Sequence, residues 1–208
     1  MTRVKICGVT VTEDLETVVE MGADAVGLTV DVAVETPRAI DPERAVALAR
    51  AAPPFVTTVL VTMPETPERA IEVSERIEPD AIQLHGGLSP DDVASVSNGV
   101  AADVVVAVSP VDAPRYDRAA DALLVDSLDE SGAGGTGATH DWARTRGLVE
   151  ELSSPVVLAG GLTPTNVAEA VETVDPFAVD VASGVESQPG RKDPEAVGSF
   201  IRRAGGRP

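Results

Sequence analysis

Short runs of β-branched and aliphatic residues recur along the whole chain, and each is followed by an amphipathic, acid-rich stretch. The first kind of pattern predicts strands and the second predicts helices, because side chains repeat every two residues in a strand and every 3.6 in a helix. The strands are expected at Val4–Cys7, Ala25–Val30, Val56–Val61, Ala81–His85, Val104–Val108, Ala122–Asp126, Val156–Ala159 and Ala178–Ala182. The helices are expected at Thr12–Met21, Pro42–Ala51, Pro67–Ile77, Pro90–Ser97, Ala113–Ala119, Asp141–Leu152, Pro164–Val174 and Pro194–Ala204. Pro42, Pro67, Pro90, Pro164 and Pro194 each follow Asp, Thr or Ser. That order puts a capping side chain just before a proline at the first helical position.

Eight strand-then-helix units imply a parallel sheet. An open doubly wound sheet usually stops at five or six strands, whereas eight close naturally. The expected fold is therefore α/β, a single (β/α)8 TIM barrel spanning residues 1–208. The length is compatible, since such a barrel needs at least about 200 residues. No stretch reads as a linker, a low-complexity segment or a membrane span.

Composition narrows the partners. The 34 acidic residues against 16 basic ones leave a net charge of −18, and the lysines are only Lys5 and Lys192. Such a surface repels nucleic acid and anionic membranes, so neither is expected as a partner. The acids are scattered rather than blocked, which suits a solvated surface in high salt, where screening removes self-repulsion. The sole cysteine, Cys7, rules out an internal disulfide and suits a reducing compartment; with no leader-like N-terminus, a cytoplasmic location is expected. A monomer is expected, with a homodimer as the alternative. Aromatic residues make up only 2%, so Val, Ala, Leu and Ile must build the core.

Active sites of these barrels lie at the carboxyl ends of the strands. There the sequence reads Lys5-Ile6-Cys7-Gly8, Gln83-Leu84-His85-Gly86, Val125-Asp126-Ser127, Ala159-Gly160-Gly161-Leu162 and Asp180-Val181-Ala182-Ser183-Gly184-Val185-Glu186. Alternation puts Lys5 with Cys7, Gln83 with His85, Leu124 with Asp126, and Asp180 with Ala182 on one strand face each. Apolar residues lie between them, so the polar set is expected inside the barrel mouth. Taken singly, each has a bland alternative: a lone cysteine is more often a small core residue, Lys5 and Asp180 could be a structural pair, and His85 a satisfied core histidine. Joint appearance at strand ends favours chemistry. Gly160-Gly161 and Ser183-Gly184 are turns whose backbone N–H groups can approach an anion, and loops after strands seven and eight are the recurrent phosphate site of such barrels. The Gly134-Gly135-Thr136-Gly137 turn could close over the same anion.

In order and spacing, these motifs resemble the phosphoribosylanthranilate isomerase family over nearly the whole chain, together with Asp141-Trp142 and Pro189-Gly190-Arg191-Lys192-Asp193. The resemblance implies a barrel of the ribulose-phosphate-binding type. It also implies an Amadori rearrangement of a phosphorylated small-molecule substrate in tryptophan biosynthesis, without metal or organic cofactor. Carried over by position, Cys7 would be the general base and Asp126 the general acid. Arg38 would face the anthranilate part. His85, Gly135, Gly160, Gly161, Ser183 and Gly184 would hold the substrate, with Lys5, Gln83 and Asp180 in support. The expected route to an active thiol is a pKa lowered by Lys5, itself fixed by Asp180. With so few cations, Arg38 would supply much of the attraction for the anionic substrate, helped by Arg191 or Lys192.

The sequence departs from the family pattern at three places. The Thr29–Glu35 loop lacks aromatic residues, Met63 stands where asparagine is usual, and Ala138 where lysine is common. Related barrels such as indole-glycerol-phosphate synthase would bring a mid-barrel lysine, and histidine-pathway isomerases an aspartate pair on two similar halves. This chain has no lysine between Lys5 and Lys192 and no half-to-half repeat. A barrel that only binds a phosphorylated metabolite is the non-enzymatic alternative.

Overall fold

The computed structural model describes residues 1–126 and 141–205. Eight parallel strands close into a barrel in sequence order. They are β1 (Arg3–Cys7), β2 (Ala25–Thr29), β3 (Thr57–Thr62), β4 (Ala81–Leu84), β5 (Asp103–Val108), β6 (Ala122–Val125), β7 (Val156–Leu158) and β8 (Ala178–Val181). β1 closes on β8 with Lys5 opposite Asp180. The outer ring is α1 (Thr12–Glu20), α2 (Pro42–Ala51), α3 (Pro67–Ile77), α4 (Pro90–Gly99), α5 (Ala113–Tyr116), α6 (Trp142–Glu151), α7 (Val167–Val174) and α8 (Pro194–Arg203). This agrees with the expected architecture.

Two alternating side-chain sets build two cores. Outward strand residues such as Val4, Ile6, Val26 and Leu28 pack beneath Leu15, Leu48 and Phe200 of the helices. Inward residues form smaller clusters, one of Cys7, Val59, Val61 and Ala81 and another of Ala107, Leu124, Val157, Ala159 and Ala178. The barrel interior is thus filled mostly by small aliphatic groups, leaving space at its mouth.

The proline starts hold for four helices. Asp41, Thr66, Ser89 and Asp193 each accept a hydrogen bond from a first-turn N–H, with proline just inside. The fifth differs: α7 begins at Val167, three residues beyond Pro164. Asn166 accepts from Thr163 N at 2.8 Å and donates to Gly161 O at 3.0 Å, so side chain and backbone build a turn there first. α5 is shorter than expected, ending at Tyr116.

Some acids are structural rather than solvated. Asp24, Asp80 and Asp121 lie just before β2, β4 and β6, and accept from the N–H of Val4, Thr58 and Val104 at 2.8 Å. Each ties the start of one strand to the start of the strand before it, at the barrel end away from the mouth. After β8 the chain makes a single 3-10 turn, Ser183–Val185, and then an unexpected antiparallel hairpin, β9 (Glu186–Gln188) and β10 (Arg191–Lys192). Among the described residues, no helix is long and apolar enough to cross a membrane.

Candidate active site

A cavity of about 500 Å³ opens at the carboxyl ends of the strands. That size suits a small organic ligand. Cys7 and Asp180 line it from adjacent strands. Beneath the thiol, Lys5 Nζ donates to Asp180 Oδ1 at 2.8 Å, and both side chains are buried. The register places Gly27 of β2 directly across from Cys7. A Cβ there would stand 2.8 Å from Cys7 Sγ and 3.1 Å from Lys5 Nζ. Gly27 therefore makes the room that the thiol and the ammonium occupy. The signal for Gly27 in the sequence is a glycine inside a β-branched strand, which marks a close approach.

The electrostatics around Cys7 differ from the expectation. Burial pushes the thiol up, and the ammonium of Lys5, which pulls it down, does not overcome that. Asp180 adds to the upward push, and Lys192 pulls down. For Lys5, burial alone would lower its pKa, but Asp180 and Cys7 outweigh this and raise it. Lys5 is the expected cation with the expected partner, yet the thiol is not acidified on balance, because a neutral thiol is favoured in so dry a site.

Gln83 and Leu124 line the cavity from β4 and β6, and His85 and Asp126 from the positions just after them, as the alternation rule required. Gln83 Nε2 and His85 Nε2 are 2.7 Å apart. Gln83 is 2% exposed, and its Oε1 has no hydrogen-bond partner among the described residues. Asp126 directly follows β6 and is buried. Its amide donates to Val108 O at 3.1 Å, which fixes the direction in which the carboxyl leaves the strand.

Gly160, Gly161, Ser183 and Gly184 form another wall. Gly160 and Gly161 both have positive φ, 88° and 62°, a conformation that glycine adopts without strain. Gly184 is needed for a different reason: a Cβ on it would stand 2.0 Å from Leu162 O. The loops after β7 and β8 are thus in direct contact. Gly135 lies outside the described residues.

Arg38 lines the cavity from the loop after β2, but its charge is already engaged. Its Nε and Nη2 each donate to Glu186 at 2.8 Å, a bidentate pair. The expected helpers are turned elsewhere. Arg191 pairs with Asp14 at 3.3 Å, and the Lys192 side chain is fully buried with Nζ on Cys7 O, Ala182 O and Glu186 Oε1. Neither Arg191 nor Lys192 lines the cavity, which corrects the expectation that they attract substrate. Nothing local in the sequence marks Glu186 as the partner of Arg38, because the two are 148 residues apart.

Fold and site together define the class: a (β/α)8-barrel enzyme with a thiol and a carboxyl group in one pocket at the catalytic face. A family model described as N-(5'-phosphoribosyl)anthranilate (PRA) isomerase matches residues 4–203, and the chain belongs to that family. It is 62% identical over 206 residues to the N-(5'-phosphoribosyl)anthranilate isomerase of Natronomonas pharaonis, a halophilic archaeon, covering 99% of each chain. The crystal structure of phosphoribosyl anthranilate isomerase from Thermotoga maritima superposes with a TM-score of 0.85 at 37% identity, with 99% of each chain covered. A solved phosphoribosyl anthranilate isomerase in complex with reduced 1-(o-carboxyphenylamino)-1-deoxyribulose 5-phosphate superposes with a TM-score of 0.83 at 36% identity, again with 99% of each chain covered.

Proposed function

We propose that this chain isomerises N-(5'-phosphoribosyl)anthranilate to 1-(2-carboxyphenylamino)-1-deoxyribulose 5-phosphate, with Asp126 as general acid and Cys7 as general base. Membership of the family and the joint presence of both side chains in one cavity support the reading. Asp126 gives its proton to the furanose ring oxygen, the ring C–O bond breaks, and the electron pair on nitrogen forms an iminium. The Cys7 thiolate then takes the proton from C2', whose bonding electrons neutralise the iminium and leave an enol amine. Tautomerisation of the enol yields the ketone, so no atom is gained or lost and only protons move.

The remaining roles follow from the site's chemistry. Lys5, held by Asp180, favours the thiolate over what burial alone would allow. The backbone of Gly160, Gly161, Ser183 and Gly184 cradles the phosphate, and Gly135 closes over it. Gln83 Oε1 accepts from a substrate hydroxyl, with His85 beside it. Arg38 contacts the anthranilate end from the rim.

The test is fluorescence, because turnover changes the anthranilate signal. Purified protein in high salt is expected to turn over the substrate, with Cys7→Ala and Asp126→Asn each losing about three orders of magnitude or more in kcat while substrate affinity stays within a few-fold. Full activity in either variant would remove that residue from its role. Binding without turnover by the native chain would make it a metabolite-binding barrel instead.

A further inference from the structure

The β9–β10 hairpin carries two buried charges that the acid–base reading does not use. Lys192 Nζ donates to Cys7 O at 2.6 Å, Ala182 O at 3.2 Å and Glu186 Oε1 at 3.0 Å. An ammonium has three N–H donors, and here each has an acceptor. Two of those acceptors are carbonyls of residues whose own side chains line the cavity. Glu186 in turn accepts both Arg38 bonds, and Gly190 N donates to it at 3.3 Å. The surrounding backbone boxes this cluster in. A Cβ on Gly190 would stand 2.6 Å from Pro37 O, and one on Gly8 would stand 2.6 Å from Arg38 Cδ. A buried ion pair is a poor way to gain stability alone, since apolar groups of the same volume often do as well. Its placement against the thiol strand and the rim arginine suggests a different use.

We propose that Lys192 and Glu186 are positioning residues for the reaction: Lys192 holds the end of β1 and favours the Cys7 thiolate from behind the strand, while Glu186 aims Arg38 at the cavity. This rests on Cys7 being the base and Arg38 a substrate contact. The charged groups that act most on Cys7 are Lys5 on its own strand, Asp180 on β8 and Lys192 on β10, and the Asp126 carboxyl faces the same cavity from the end of β6. Glu186 and Arg38 complete the cluster through Lys192. With the Asp14–Arg191 pair, whose carboxylate accepts from Lys192 N at 3.0 Å, it holds four cations, Lys5, Lys192, Arg38 and Arg191, and three carboxylates, Asp180, Glu186 and Asp14. Ionisation of Cys7 would bring these charges level. Removing a cation disfavours that anion, and removing a carboxylate favours it.

Because Cys7 is the only cysteine, ultraviolet thiolate absorbance against pH, taken as the difference from the same titration of Cys7→Ala so that the Tyr116 contribution cancels, reads this residue alone, whether or not the protein turns over substrate. Lys192→Met is expected to move the thiol titration upward by roughly half a unit or more, and to lower kcat about tenfold. Glu186→Gln keeps the shape and the acceptor but drops the charge. It is expected to move the titration downward while raising KM about fivefold or more with kcat little changed, because Arg38 loses its fixed aim. Opposite shifts support the proposal, since simple loosening of the site cannot produce them. Unmoved titrations, or shifts of the same sign in both variants, overturn it. If Lys192→Met does not fold, Lys192→Gln, which keeps N–H donors but drops the charge, takes its place with the same upward shift expected, and an unmoved or downward titration in it overturns the proposal. The separate failure of Cys7 as base would appear as retained activity in Cys7→Ala, whatever the titrations show.

Discussion

Gly27 and Cys7 stand opposite each other across the β1–β2 seam, and the thiol fills the space where any other residue at position 27 would place its Cβ. That contact makes a glycine on β2 part of the thiol's position. Gly27→Ala must push Sγ aside or move β1, since Cys7 Cα would also be only 3.0 Å away. Overpacking of this kind costs about 1–3 kcal/mol of stability. A shifted base should lower kcat about tenfold or more. Steady-state kinetics beside a denaturant melt would check both, and native kinetics in Gly27→Ala would show that the thiol has slack.

Lys5 sets a second expectation, on pH. Burial holds the thiol above its ordinary value, so thiolate is the minority form at neutral pH and grows as pH rises. Lys5→Met removes a pull toward ionisation and leaves Asp180 unpaired beside the thiol, so both effects move the thiolate titration to higher pH. Lys5 itself is raised in the folded state. Its contribution to stability is therefore complete below the free-lysine value of about 10.4 and is lost as pH climbs through the folded value. An unmoved thiolate midpoint in Lys5→Met would contradict this electrostatic role.

Gly184→Ala tests the contact between the loops after β7 and β8. The new Cβ would meet a backbone oxygen, Leu162 O, which cannot swing away as a side chain can. The two loops must then part, and the proposed phosphate cradle opens with them. KM is expected to rise about tenfold or more, with inorganic phosphate weakened as a competitive inhibitor. Unchanged phosphate inhibition would place the phosphate elsewhere.

The charge of −18 predicts a response to salt. Repulsion among exposed carboxylates is screened over about 3 Å at molar ionic strength against about 10 Å at 0.1 M. The unfolding midpoint should therefore rise from low to molar salt. A midpoint that stays put would mean that the exposed acids are already compensated, as Asp24, Asp80 and Asp121 are by strand amides.

The order of elements was legible in the sequence because burial imposes periodicity on each strand and helix locally. Four of the five capped prolines marked helix starts correctly, since cap and proline act within one turn of chain. Pro164 misled because Asn166 offers the backbone a competing turn, a choice made by one side chain three residues on from Thr163. The inward set of Cys7, Gln83, Asp126 and Asp180 was equally legible, because alternation fixes the face and the barrel rule fixes the end. Closure of the barrel decided the rest. It put Glu186 against Arg38 and Lys192 against the Cys7 carbonyl, contacts spanning 148 and 185 residues of chain. It also buried the thiol deeply enough that desolvation outweighs the cation beneath it. Pattern along a chain determines which way a side chain points, whereas its charge state and partners depend on what the folded chain brings next to it.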